Sequence, residues 1–346
     1  MNVRTVKKAL VVLTLTLVAL SAGGGFAEGG TPAASQQDPF LWGAWIGNQF
    51  TGQQPPWDWN AVTKFEARNA GGRHISALHW GVTEPWDHSF NYWRGAFDNA
   101  RAAGALSVVD MATDTVPLST IASGAYDGAL RTWATQAASW GQPFLLRFDW
   151  EMNGRWFPWG TTSSNQNTAA DYVAAWRHIH NLFAAAGATN TTWVWCPNLQ
   201  YSTSVPYTQL YPGDAYVDWT CLDGYNSGIS STSFSSLYTQ SYNSLMGVAP
   251  SKPVMIGEIG SIEYGAGVKA AWISDMLSQL PTNFPQVKAL VYFNWRCLTS
   301  GIWRSWEIES SAVTQTAFST GIAAPYYAAA SSFTMPAALK PIQPLP

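Results

Sequence analysis

Charged side chains are scarce in this 346-residue sequence. They make up 11%, with 18 Lys and Arg against 21 Asp and Glu, a net charge of −3 and no basic stripe. That excludes the electrostatic footprint of a nucleic-acid binder or of a protein drawn to an anionic membrane surface. The five histidines show no HExxH or comparable ligand spacing, so no metal is expected. No GxGxxG follows the first predicted strand and no P-loop occurs, which removes the usual nucleotide sites and leaves no cofactor. There is no CxxC pair among the three cysteines, Cys196, Cys221 and Cys297. The odd count leaves at least one thiol free or paired elsewhere. Cys196 and Cys221 fall on neighbouring predicted strands, where a bridge and two buried thiols both remain open. Beyond residue 20 no run is long and apolar enough to span a bilayer.

Apolar residues make up 47%, the fraction of a folded globular chain. Aromatics reach 14%, with 20 tryptophans, enough to fill a core or to line a groove for flat apolar faces. The amino terminus reads as an export signal: Arg4, Lys7 and Lys8, then the twelve apolar-run residues 9–20, then a small-residue exit ending at Gly25-Phe26-Ala27, with Ala22 as an alternative. The expected layout is a signal peptide at 1–27, a polar linker at 28–38, one folded domain at 39–328 and a proline-rich tail at 329–346. A secreted monomer is expected, with no membrane contact after cleavage.

Short apolar runs alternate with helical patterns or long polar loops. Strands are predicted at 41–47, 74–82, 105–112, 143–150, 192–197, 217–225, 253–258 and 287–295. Amphipathic stretches lie at 126–140, 168–186, 235–248 and 268–280, and Thr168 with Asp171 forms an approximate capping box before a stop at Gly187. Strand–helix alternation implies a parallel sheet, and eight units in about 290 residues match a single (β/α)8 TIM barrel. An open doubly wound sheet is the alternative.

Barrel chemistry sits at the carboxyl ends of the strands. The fourth ends in RFDWEMNGRWFPWG, residues 147–160. Alternation puts Leu145, Arg147, Asp149 and Glu151 on the inward face, where unpaired charge is expensive. Arg147 neutralising Asp149 would account for two of them but not for Glu151 at the mouth. The seventh strand, KPVMIGEIG, ends in Glu258, with Val254 and Ile256 expected on the same inward face. Two carboxyls from opposite strands can flank one glycosidic bond, about 5–5.5 Å apart in retaining enzymes and about 6.5–9.5 Å apart in inverting ones. Sugar is the expected partner because Trp80, Trp156, Trp159, Tyr225 and Trp295 all fall at predicted strand ends or in the loops after them. His79, Asn153, Asp223 and Asn294 are candidates to meet its hydroxyls.

With YPGDAYVDWTCLDGYN between them, these two motifs make the sequence similar to glycoside hydrolase family 26 from about residue 40 to 327. The resemblance implies a retaining (β/α)8 glycosidase, with Glu151 as acid/base and Glu258 as nucleophile. It implies that Tyr225 hydrogen-bonds the nucleophile, that Arg147 lies beneath the acid/base, and that His79, Trp156, Trp295 and Arg296 line sugar subsites. The family commonly has histidine directly before the acid/base; here Trp150 stands there, facing the site only if the strand end is bulged. The resemblance implies a β-linked polysaccharide as substrate. Endo-β-1,4-mannanase is the first expectation, followed by β-1,3-1,4-glucanase and β-1,3-xylanase. A non-catalytic carbohydrate-binding barrel is the rival from outside the enzymes.

Overall fold

The computed structural model describes residues 40–47, 59–162, 166–227, 232–299 and 301–328. The expected signal peptide, linker and tail lie outside the described residues. Eight parallel strands close into a barrel in sequence order, β1 through β8. They are β1 Leu41–Ile46, β2 Ala77–Thr83, β3 Leu106–Ala112 and β4 Phe144–Phe148, then β5 Thr191–Trp195, β6 Trp219–Asn226, β7 Val254–Ser261 and β8 Val287–Asn294. The helices are α1 Trp59–Asn69, α2 Phe90–Ala102, the short α3 Leu118–Ala122, α4 Asp127–Trp140 and α5 Ala169–Ala185. After them come the short α6 Tyr207–Leu210, α7 Phe234–Val248, α8 Val268–Asn283, α9 Ala312–Gly321 and α10 Pro325–Ala328. A hairpin, β9 Arg296–Thr299 and β10 Ile302–Ser305, follows β8 and is absent from the sequence expectation.

Local chemistry explains several boundaries. Thr168 and Asp171 form a reciprocal capping box at the start of α5, and Gly187 beyond its end is left-handed at φ 78°. β4 stops at Phe148, two residues before the expected end, because Asp149 turns to φ 40° and leaves the extended region.

Period-2 alternation separates two apolar layers. Leu106, Val108, Leu145, Val194, Trp219 and Val291 are among those filling the barrel interior. Trp42, Trp80, Trp133, Trp176 and Trp195 are fully buried in the layer between strands and helices. Each such ring removes roughly 150–250 Å² from water. Much of the tryptophan surplus is therefore core.

The barrel closes tightly where β1 meets β2, at Gly43 opposite Ala77. A Cβ on Gly43 would lie 1.7 Å from the Ala77 carbonyl oxygen, so no side chain fits without separating the strands. Gly43→Ala is expected to cost roughly 3 kcal/mol by overpacking, lowering the melting temperature by about 6–12 °C. An unchanged midpoint in calorimetry would contradict this close approach.

Candidate active site

The mouth of the barrel is built from the last inward positions of the strands. Arg147, on β4, is completely buried at its centre. Its Nη2 donates to Asp223 Oδ2 on β6 and, at 3.3 Å, to Glu258 Oε1 on β7. Its Nε lies 3.2 Å from Asp110 Oδ1 on β3. Nε2 of His79, on β2, faces both Asp110 Oδ2 at 2.8 Å and Arg147 Nη1 at 3.2 Å. Burial alone would lower the guanidinium pKa, but Asp110, Asp223, Glu258 and Glu151 together raise it, so Arg147 stays a cation.

Glu151 is carried on a strained turn. Asp149 and Glu151 have φ of 40° and 55°, a left-handed backbone that side chains with a Cβ adopt at a cost of roughly 1–2 kcal/mol. Asp149 does not pair with Arg147, contrary to one sequence expectation. The turn swings it towards the end of β3, where its carboxylate accepts from Thr113 N at 2.8 Å and Thr113 Oγ1 at 2.7 Å. The Glu151 amide donates to the Cys196 carbonyl at 2.7 Å. Its carboxylate accepts from Asn198 Nδ2 at 2.8 Å and from the Trp156 indole. Gly154 permits the second contact, because a Cβ there would lie 2.5 Å from the Trp156 ring.

Glu258 reaches the same space by another route. Val254 and Ile256 pack in the helix-facing layer and Met255 in the interior, the reverse of the expected alternation. The pairing of β7 with β8 is irregular between Ile256 and Ile259, and this shift re-aims Glu258 inward. Gly257 makes room beneath it: a Cβ there would stand 2.5 Å from Cys221 Sγ, 2.7 Å from Asp223 Oδ1 and 3.1 Å from Arg147 Nη1. Tyr225, on β6, donates its hydroxyl to Glu258 Oε2. Burial and then the charge of Glu258 raise the Tyr225 pKa well above its usual value, so it remains a donor.

An oxygen from each of Glu151, Asp223 and Glu258 lies within 4.8 Å of the others. That spacing suits two carboxyls acting on one anomeric carbon by double displacement rather than with a water between them. Burial, and next the negative charge of Glu258, push the Glu151 pKa up to about 8. At neutral pH Glu151 therefore holds a proton. The acidic groups here surround Arg147, which supplies a fixed cation from the chain itself.

Other predicted positions divide clearly. Trp80 is not in the site: alternation turns it outward, where it packs edge-on against Phe97. His79 is in the mouth but fully buried beneath Trp45. Asn153, Asp223 and Asn294 are buried too. Asn153 exchanges bonds of 2.8 Å with the Asn198 backbone and so holds the donor to Glu151. Asn294 accepts from Ile308 N at 2.7 Å. Trp150 packs against the barrel interior, 5.7 Å from the Arg147 guanidinium, and also touches Phe157 and Trp159. The left-handed Asp149 resets its direction, so Trp150 roofs Arg147. Trp156 is 46% exposed beside Tyr201, forming a rim next to Glu151. Trp295 stacks on Trp45 at 6.1 Å. Arg296 is exposed and tied to Glu307. Cys196, just past the end of β5, and Cys221, within β6, form a disulfide beside Asp223. Sequence reading missed Asn198, Asp110 and Trp45; the alternation that places His79 inward also places the last two.

With two carboxyls meeting over a buried arginine, the profile of glycosyl hydrolase family 26 matches residues 54–283. The chain belongs to glycosyl hydrolase family 26. Endoglucanase H of Acetivibrio thermocellus is 32% identical over 292 residues, 82% of this chain and 30% of that protein. Mannan endo-1,4-β-mannosidase A and B of Caldalkalibacillus mannanilyticus is 37% identical over 131 residues, 37% of this chain and 23% of that protein. The chain thus spans under a third of the length of either relative. Among solved structures, the catalytic domain of an endo-β-1,4-mannanase from Bacillus sp. JAMB-750 superposes with a TM-score of 0.64 at 18% identity, covering 85% of this chain and 89% of that one. This likeness supports the barrel fold.

Gly257→Ala is expected to leave a folded barrel whose turnover falls at least about 100-fold, because ångström-scale displacement of reacting groups has effects of that order. Circular dichroism beside hydrolysis rates checks it. Wild-type turnover in the alanine variant would contradict the packing beneath Glu258.

Proposed function

We propose that the chain is a secreted, retaining endo-β-glycanase. Glu258, held by Tyr225 and Arg147, attacks the anomeric carbon while Glu151 gives its proton to the departing glycosidic oxygen. The glycosidic bond breaks and a glycosyl ester forms on Glu258. Esterification removes the charge that helped to raise the Glu151 pKa, so Glu151 becomes a base. It takes a proton from water, the water oxygen displaces Glu258, and the sugar leaves with its original configuration. The observation that carries this reading is that one oxygen of Glu151 and one of Glu258 lie within 4.8 Å of each other, with the proton favoured on Glu151. Secretion rests on the amino-terminal pattern and on the Cys196–Cys221 disulfide, which suits an oxidising compartment. No described helix is long and apolar enough to cross a membrane.

For the substrate we place β-1,4-linked or mixed-linkage β-glucan first. The endoglucanase relative matches across 82% of the chain, whereas the mannosidase relative above matches 37%. Mannan is the second reading, favoured by the higher identity of the shorter match.

Reducing-end release by the purified protein on mixed-linkage β-glucan, mannan and β-1,3-xylan is expected to be greatest on glucan and absent in Glu258→Gln. Greatest release from mannan would reverse the substrate order. Full activity in Glu258→Gln would overturn the assigned roles, and binding without cleavage by the wild type would favour a carbohydrate-binding barrel.

The rate is also expected to fall with rising pH as Glu151 loses its proton, with the alkaline limb of kcat/KM near the value of about 8. Asn198 donates to the Glu151 carboxylate and so favours ionisation. In Asn198→Ala the alkaline limb is expected to move to higher pH while the rate drops. A limb that moves downward would contradict this arrangement.

A further inference from the structure

Of the three ionisable residues in RFDWE, Asp149 alone has no part in the proposed displacement. It is completely buried, and among the described residues no cation pairs with it. Burial pushes its carboxyl up to about 8, against the two Thr113 donors that pull it down, and the negative charge of Asp114 adds to the rise. A lone ion is costly in such a place. What the position supplies is therefore geometry rather than charge.

That geometry belongs to the turn that carries Glu151. Only Asp149 and Trp150 stand between the end of β4 and Glu151, and the backbone is left-handed at Asp149 and again at Glu151. Aspartate tolerates that region better than most residues because its short polar group can bond nearby backbone. Here the bonds run to the neighbouring strand. Asp149 N donates to the Met111 carbonyl at 3.0 Å, and the carboxyl accepts from Thr113 N at 2.8 Å and Thr113 Oγ1 at 2.7 Å. Thr113 directly follows β3 and is itself fully buried. From the other side, the Glu151 amide donates to the Cys196 carbonyl at 2.7 Å, just past β5. The indole of Trp159 donates to the Trp150 carbonyl at 2.7 Å. The turn is thus clamped between β3 and β5. None of these bonds reaches Glu258, which stands on β7 and is held by Tyr225 and Arg147.

We propose that Asp149, gripped by Thr113, is a positioning residue for the proton donor: it fixes the left-handed turn so that Glu151 meets the departing glycosidic oxygen. The proposal rests on the glycanase reading above. Releasing the clamp slows the step that needs a proton and leaves the attack by Glu258 in place. A sugar oxygen leaves poorly unless it is protonated, whereas 2,4-dinitrophenolate departs as a stable anion. The two leaving groups therefore separate a displaced acid from a generally loosened barrel.

The test compares kcat/KM, which reports the steps up to the glycosyl ester, on the polymer that the wild type cleaves and on the 2,4-dinitrophenyl β-glycoside of its disaccharide unit. Asp149→Ala is expected to lose about 100-fold on the polymer, the scale of general-acid catalysis, and less than about threefold on the aryl glycoside. Thr113→Val removes the hydroxyl at a residue outside the left-handed region, and is expected to show the same imbalance to a smaller degree. Asp149→Asn offers an acceptor to Thr113 N and a donor to Thr113 Oγ1, and Thr113→Ser keeps the hydroxyl. Both are expected to retain most of the polymer activity. Equal losses on the two substrates, or an Asp149→Asn variant that is folded and inactive, would overturn the proposal and leave the glycanase reading intact. If Asp149→Ala does not fold, Thr113→Val decides by the same ratio. A wild type that cleaves neither glycan nor aryl glycoside takes both readings down.

Discussion

Everything at the mouth of the barrel is arranged around one buried cation. Arg147 is surrounded by Asp110, Asp223, Glu258 and Glu151, each from a different strand or strand end. An isolated ion so far from water is prohibitively costly, and so are carboxylates without a partner. The cluster therefore persists as a set, and the strands that carry it cannot slide without separating charges. The same interactions give the two outer carboxyls different environments. Glu258 receives the guanidinium and a phenol hydroxyl, whereas for Glu151 burial first and the repulsion of Glu258 next outweigh its two neutral N–H donors and the more remote guanidinium. That asymmetry separates a carboxylate from a proton-bearing carboxyl, the division of labour that the proposed double displacement requires.

The remainder of the site supports that asymmetry. Gly257 keeps the space under Glu258 clear for Arg147, Asp223 and Cys221, and the Cys196–Cys221 bridge ties β5 to β6. The Cys196 carbonyl holds the Glu151 amide, and Asn198 just beyond it holds the Glu151 carboxyl. Among the described residues, the four non-glycine positions with left-handed backbone, Glu84, Asp114, Asp149 and Glu151, all closely follow β2, β3 or β4. Strain is thus gathered at the catalytic end of the barrel, where rigid packing can sustain it.

Legibility in the sequence followed the regularity of the backbone. The eight strands and the inward direction of His79 and Arg147 come from plain alternation, and α5 from its capping residues. Where the backbone departs from alternation, reading failed or succeeded by another route. Asp149 and Trp150 were misdirected or undecided because a left-handed turn cannot be read from residue type. Glu258 points inward as expected, but through a register shift that also reverses Val254 and Ile256. Trp80 was assigned by its nearness to a strand end, although alternation already places it outward. Asn198 escaped notice because its role depends on β5 lying beside β4, and the β9–β10 hairpin because its strands are only four residues long.

The central claim is that the two carboxyls act on opposite sides of one covalent intermediate. The most direct test is proton NMR of the first sugar released from a β-linked oligosaccharide, recorded before the anomers equilibrate. Carboxyls close enough to bring oxygens within 4.8 Å of each other predict the β anomer first, followed by slow mutarotation. Initial appearance of the α anomer would mean inversion and would contradict this account of Glu151 and Glu258.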